Sequence, residues 1–144
     1  MSNIKQIISN SEQDTISLAT DFAKDLSSGD IVLLNGEVGV GKSVFARGIA
    51  RSFGIKQDIN SPTFTIYNAY QLANGVVLYH IDAYRIKHID EVYDIGLDEV
   101  ISDTNGICLI EWHCNIRELL ANKKAFTVDI ERLLENNRQI TITN

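Results

Sequence analysis

The sequence predicts an α/β fold, with a mixed, mostly parallel central sheet between two helical layers. Three observations lead there. An apolar, β-branched run at residues 31–35 passes into the glycine-rich stretch "GEVGVGKS" and then into an amphipathic segment, a strand–loop–helix order. Asn74-Gly75 separates two β-rich runs, so antiparallel pairing must sit beside the parallel strands. The chain has 144 residues and no repeat, low-complexity tract or Pro/Gly/Ser linker, so residues 1–144 read as one domain. A chain of this length buries roughly two-thirds of its unfolded surface, enough for one core.

Each element has its own signal. Ile4–Ser9 reads as a short leading strand. Ile16, Ala19, Phe22, Ala23 and Leu26 recur at helical spacing and predict a helix over 11–28. Ser11 caps it, with Asp14 three residues on, and Gly29 stops it. Ile31–Asn35 has the look of a buried strand. A helix follows over 42–53, with Phe45 and Ile49 one turn apart and Gly54 as its stop. The run 64–72 is rich in Thr, Ile and Tyr, 76–81 is apolar and β-branched, and Asn74-Gly75 joins them as a hairpin. A short helix is expected around 88–94, closing at Gly96. Asn105-Gly106 turns into a strand over 107–110 that ends at Glu111, and a helix near 115–122 follows. Strands over 125–130 and 139–143 complete the chain.

Composition narrows the function. Apolar residues make up 44% and charged residues 22%, as in soluble globular proteins. The start, "MSNIKQIISNSEQD", has no apolar run of a signal peptide, and no stretch approaches the ~18 apolar residues of a membrane span. A cytoplasmic protein with no membrane partner is expected. The formal net charge of −6 argues against unaided nucleic-acid binding, because phosphate contacts need a basic surface. Cys108 and Cys114 form no C-x-x-C pair or zinc spacing; a buried thiol on a strand and a second near its end is the simpler reading. His113 beside Cys114 suggests a base and nucleophile, but adjacent strand residues point to opposite faces.

The stretch Gly36 to Ser43 fits G-x-x-x-x-G-K-[ST] through Gly36, Gly41, Lys42 and Ser43, with Gly39 as a third glycine. Glycines let backbone N–H groups turn onto phosphate oxygens with no Cβ in the way. Lys42 offers a point charge to the β- and γ-phosphates, and Ser43 a hydroxyl to Mg²⁺. The helix that starts there adds its positive dipole end. A chance match in a chain of this length has a probability on the order of half a per cent. With the strand before it and the helix after it, the pattern predicts a P-loop NTPase-like domain that binds nucleotide through Gly36, Glu37, Val38, Gly39, Val40, Gly41, Lys42, Ser43 and Val44. Guanine-reading N-K-x-D is missing; residues 122–125 read "NKKA", so ATP is the expected nucleotide.

Hydrolysis also needs a carboxylate for Mg²⁺ and a group that orients water. Asp82, after "VVLYHI", and Glu111, after "ICLI", are the two candidates at strand ends, where ligands of such sheets bind. "SPTF" at residues 61–64 offers a hydroxyl on a loop, in the manner of a switch.

"GEVGVGKS", "SPTFTIYNAY", "HIDAYR" and "IEW", in this order and at these distances, resemble the TsaE family (also called YjeE) over residues 12–138, nearly the full chain. The resemblance implies a compact P-loop domain and slow ATP hydrolysis with Mg²⁺. It implies TsaD and TsaB as partners, the pair that moves a threonylcarbamoyl group onto an adenosine of tRNA next to the anticodon. The tRNA would be met only through that pair, which agrees with the acidic charge. By the same resemblance Ser43 and Glu111 are the direct Mg²⁺ ligands, Asp82 is a catalytic or supporting carboxylate, and Thr63 is a switch residue near the γ-phosphate. Trp112 and Arg85 match the family's Trp and Arg. Glu12 and Thr15 match a region near the adenine, and Arg138 matches a C-terminal Arg at the nucleotide. Two positions depart from the pattern: Ser43 stands where Thr is usual, and His113 where Pro is common. A small-molecule kinase and a non-enzymatic nucleotide sensor are the alternatives. The first needs lid arginines, and only Arg47, Arg51, Arg85, Arg117 and Arg132 follow Lys42 before the last strand, with no lid-like insertion.

Overall fold

A computed structural model of the chain describes residues 4–37, 39–56, 59 and 66–144. Among them lie seven strands: β1 (Ile4–Ser9), β2 (Ile31–Asn35), β3 (Tyr67–Gln71), β4 (Val77–Asp82), β5 (Gly106–Glu111), β6 (Phe126–Arg132) and β7 (Arg138–Thr143). They form one sheet in the order β1-β7-β6-β2-β5-β4-β3. The central strands β6, β2, β5 and β4 are parallel neighbours. β3 closes one edge antiparallel to β4, and β7 and β1 close the other, each antiparallel to its neighbour. β1 therefore points with the central four, and five of the seven strands share one direction.

Helices cover both faces. On one, α1 (Glu12–Ala23) and α2 (Lys42–Ser52) pack Phe22, Ala23, Phe45 and Ile49 against Val32, Leu34, Leu109 and Val128. On the other, α3 (Ile89–Asp94), α4 (Leu97–Ile101) and a 3₁₀ turn (His113–Ile116) pack Val92, Leu97, Ile101 and Ile116 against Ile31, Ile81, Cys108 and Ile110. Successive residues of β2 and β5 thus enter opposite cores, which is why both strands read as unbroken apolar runs. A last short helix, α5 (Arg117–Leu120), leads into β6.

The sequence signals hold at several joints. Ser11 Oγ accepts from the Asp14 N–H at 3.1 Å, and Asp14 reaches back to the Asn10 N–H at 3.0 Å. Gly75, at φ +85, turns the β3–β4 hairpin. One feature was not anticipated. A Cβ on Gly48 would lie 2.5 Å from Ala19 Cβ and 2.7 Å from the Ile16 carbonyl oxygen, so this glycine sets how closely α1 and α2 pack.

Other boundaries differ. The first helix stops at Ala23 rather than 28: Lys24, Asp25 and Leu26 each donate to a carbonyl three residues back, and Asp30 accepts from the Ser27 N–H at 2.8 Å. That tightened turn still buries Leu26 and brings the chain to the start of β2. The helix expected to close at Gly96 is followed by α4, because Gly96 bends the chain while Leu97 and Ile101 remain apolar at helical spacing. The expected helix over 115–122 is a 3₁₀ turn followed by α5. His113 and Cys114 lie in that 3₁₀ turn, so the argument from strand alternation does not apply to them; Cys108 is buried and Cys114 exposed. The start of the strand expected over 64–72 falls partly outside the described residues. No helix among the described residues is long and apolar enough to cross a membrane.

Candidate nucleotide site at the strand ends

β2, β5 and β4 end side by side: Leu34 and Asp82 both lie level with Glu111. Strand ends of a parallel sheet are open because the chain leaves them for the helical layers. The glycine-rich loop leaves β2 there, and α2 begins at Lys42 with Gly41 as N-cap at φ +117 and no side-chain cap. The first N–H groups of α2 thus have no capping side chain, and the helix dipole adds positive potential at the same end.

The hairpin of β6 and β7 seats this loop. A Cβ on Gly36 would lie 2.8 Å from the Ile130 carbonyl oxygen, so the loop passes directly over β6. Arg138 Nε donates to the Val40 carbonyl at 2.9 Å, and Arg132 donates to the Gly39 carbonyl at 3.0 Å. The two arginines are register partners across β6 and β7. A trans peptide points its C=O and N–H in opposite directions, so holding the Val40 carbonyl on Arg138 turns the Gly41 N–H the other way. Nothing in the sequence signalled the Arg132 contact.

Two cavities flank the loop and share Gly39, Gly41 and Val44. One, of about 390 Å³, is bordered by Glu12, Thr15, Val40, Asn136 and Arg138. Glu12, Thr15 and Arg138 therefore lie beside the loop. Their side chains are engaged: Glu12 pairs with Arg47 at 2.8 Å, and the buried Thr15 hydroxyl lies 2.7 Å from Ser9 Oγ.

The other cavity, of about 350 Å³, is bordered by Lys42, Ser43, Asp82, Glu111 and Trp112. Lys42 Nζ is 3.6 Å from Glu111 Oε1 and 5.7 Å from the centre of the Trp112 ring. Asp82 Oδ1 accepts from the Tyr84 N–H at 3.0 Å, which folds the chain just after β4. Trp112 has φ +58, a left-handed backbone that a large side chain adopts only where its surroundings impose it. Its ring lies 4.9 Å from that of Tyr84. Glu37 is exposed, its carbonyl taking the Val40 N–H at 3.2 Å, and Arg85 is exposed on the turn after β4. Val38 and Thr63 lie outside the described residues.

One residue escaped the sequence reading. His80 is fully buried, and its Nε2 lies 2.9 Å from Glu111 Oε2. The signal was available: in β4, Leu78, His80 and Asp82 alternate onto the face that carries Glu111.

The donors suit a hard cation. Ser43 offers a hydroxyl, and Asp82 and Glu111 carboxylates, on one cavity. Among the described residues, no three His, Cys, Asp or Glu side chains cluster as a metal cage. Mg²⁺ needs none, since it takes one or two protein oxygens and completes its shell with phosphate oxygens and water.

The chain is also similar to known proteins. Residues 9–140 match the family model described as "Threonylcarbamoyl adenosine biosynthesis protein TsaE". The tRNA threonylcarbamoyladenosine biosynthesis protein TsaE of Treponema pallidum is 36% identical over 135 residues, 94% of this chain and 97% of that one. That of Rickettsia bellii is 40% identical, over 96% of this chain and 94% of its own length. The crystal structure of Bacillus subtilis YdiB superposes with a TM-score of 0.76 at 30% identity, covering 99% of this chain and 86% of that one.

Proposed function

The chain belongs to the TsaE family of threonylcarbamoyl adenosine biosynthesis proteins, and from that premise we propose that it is an Mg²⁺-dependent ATPase. In this reading it supports the TsaB–TsaD pair in threonylcarbamoylation of the adenosine next to the anticodon of tRNA. The observation that carries the reading is one juxtaposition. Lys42, Ser43, Asp82 and Glu111 border a single cavity, beside the N-terminus of α2 and at the ends of parallel strands.

Each residue then has a chemical task. The N–H groups at the start of α2 bind phosphate oxygens. Lys42 places its charge on the β- and γ-phosphates, with Trp112 and Glu111 limiting its freedom. Ser43 and Glu111 hold Mg²⁺, which when bound offsets the phosphate charge. Asp82 and Thr63 orient water or the γ-phosphate. Glu12, Thr15, Val44 and Arg138 border the cavity on the other side of the loop, which in this reading takes the base and sugar. An acidic protein of net charge −6 reaches tRNA through its partners and acts in the cytoplasm.

The test is ATP hydrolysis by the purified chain, alone and with TsaB–TsaD, beside Lys42→Ala. The expected result is slow turnover that rises with the pair and vanishes in the variant. Nucleotide binding without turnover in either setting would overturn the ATPase reading. Phosphate found on a metabolite rather than in water would replace it by a kinase.

A further inference from the structure

A fully buried histidine in an apolar layer demands a reason. His80 sits in β4 between Leu78 and Asp82, with Leu109 beside it in the register. For packing alone a leucine serves, and it avoids the desolvation of two ring nitrogens. The ring's hydrogen bonding is one-sided. Nε2 lies 2.9 Å from Glu111 Oε2, while Nδ1 is buried with no hydrogen-bond partner among the described residues. A carboxylate only accepts, so Nε2 carries the hydrogen. Nδ1 is then the lone-pair nitrogen, which is less costly to bury unpaired than an N–H.

The two oxygens of Glu111 are thus divided. Oε2 is tied down by His80 from inside the sheet, and Oε1 lies 3.6 Å from Lys42 Nζ at the cavity. The carboxyl group of a glutamate turns about its last bond, a torsion with broad preferences, and the His80 bond to Oε2 restrains that turn. We infer that His80 is a positioning residue, which fixes the carboxylate plane of Glu111 so that Oε1 is presented to the cation accompanying the nucleotide. A supporting partner of this kind orients a ligand it does not replace, and losing one costs about 10–100-fold in metal affinity. The inference rests on the ATPase reading, in which Glu111 is a metal ligand.

The test separates metal from nucleotide. Trp112, the single tryptophan, borders the cavity and reports on it by fluorescence. A non-hydrolysable ATP analogue is titrated without metal, and Mg²⁺ is then titrated into the complex. For His80→Leu the Mg²⁺ concentration at half-effect should rise about 10–100-fold, with metal-free analogue affinity unchanged. His80→Gln, which offers an amide N–H near the position of Nε2, should recover most of the loss. If Glu111→Ala raises the Mg²⁺ requirement and His80→Leu does not, the positioning role is wrong while the metal reading stands. If Glu111→Ala leaves the requirement unchanged, the metal reading itself fails and takes the inference with it. Should His80→Leu not fold, ¹⁵N resonances of the wild-type ring decide: hydrogen on Nε2 with a lone pair on Nδ1 is expected, and hydrogen on Nδ1 overturns the inference.

Discussion

Gly48→Ala sets two opposed effects of known size against each other. In an exposed helix the change is favourable by about 1 kcal/mol, since alanine loses less backbone entropy. Here the added methyl meets Ala19 Cβ at 2.5 Å and the Ile16 carbonyl oxygen at 2.7 Å. Carbon atoms rest about 3.5–4.0 Å apart, so α1 and α2 must separate by roughly 1 Å. Neither obstacle can rotate away, because one is a backbone atom and the other a Cβ. Overpacking of this kind costs about 1–3 kcal/mol, and two rigid contacts place it near the upper end. The net loss is then about 2 kcal/mol, or roughly 6–8 °C in Tm for a chain of this size. Thermal unfolding by circular dichroism measures it. Ala19→Gly in the same chain removes one contact and should restore part of the loss, with a double-mutant coupling well above the roughly 0.5 kcal/mol of independent sites. Because α2 carries Lys42 and Ser43 at its first turn, Gly48→Ala should also weaken nucleotide binding. A Gly48→Ala protein that melts at or above the wild-type temperature would refute the close-packing argument and show that helix propensity decides.

Arg138→Ala removes a part-buried charged donor from the Val40 carbonyl, a bond of about 1.5–3 kcal/mol, so nucleotide affinity by calorimetry should fall more than for the exposed contact of Arg132→Ala. Equal affinities in wild type and Arg138→Ala would show that the loop holds its shape without the clamp. Burial, helped by Asp103, pushes the Cys108 thiol up to about 12, while Cys114 is exposed. At pH 8 a thiol reagent should therefore modify one cysteine of the folded chain and both after denaturation. A pKa raised by folding means the protonated thiol is the form the fold favours. Its contribution is whole below the unfolded pKa near 9 and is lost as pH climbs toward 12, so Cys108→Ala should flatten the alkaline edge of the stability curve.

Much of the candidate site was legible because it is written in consecutive residues. "GEVGVGKS" couples a strand end, a glycine turn and a helix start within eight positions, and the steric freedom of glycine and the charge of Lys42 need no distant partner to be recognised. Strand identity was equally local, since β2 and β5 are apolar on both faces wherever the sheet is covered twice. Apolar spacing overextends the first helix, because Leu26 keeps that spacing in a turn that is no longer α-helical.

Element types, the phosphate-loop pattern and the two candidate carboxylates at strand ends follow from local sequence. How these groups meet depends on the packed fold. Asp82 and Glu111 are 29 residues apart in sequence, yet the parallel register of β4 and β5 sets them side by side. The same register aims His80 at Glu111, and the β6–β7 hairpin brings Arg132 and Arg138 back onto the loop. Periodicity says which face of an element is apolar, whereas pairing partners depend on which strands are neighbours. That order is chosen by the whole core closing at once, and no short window of sequence contains it.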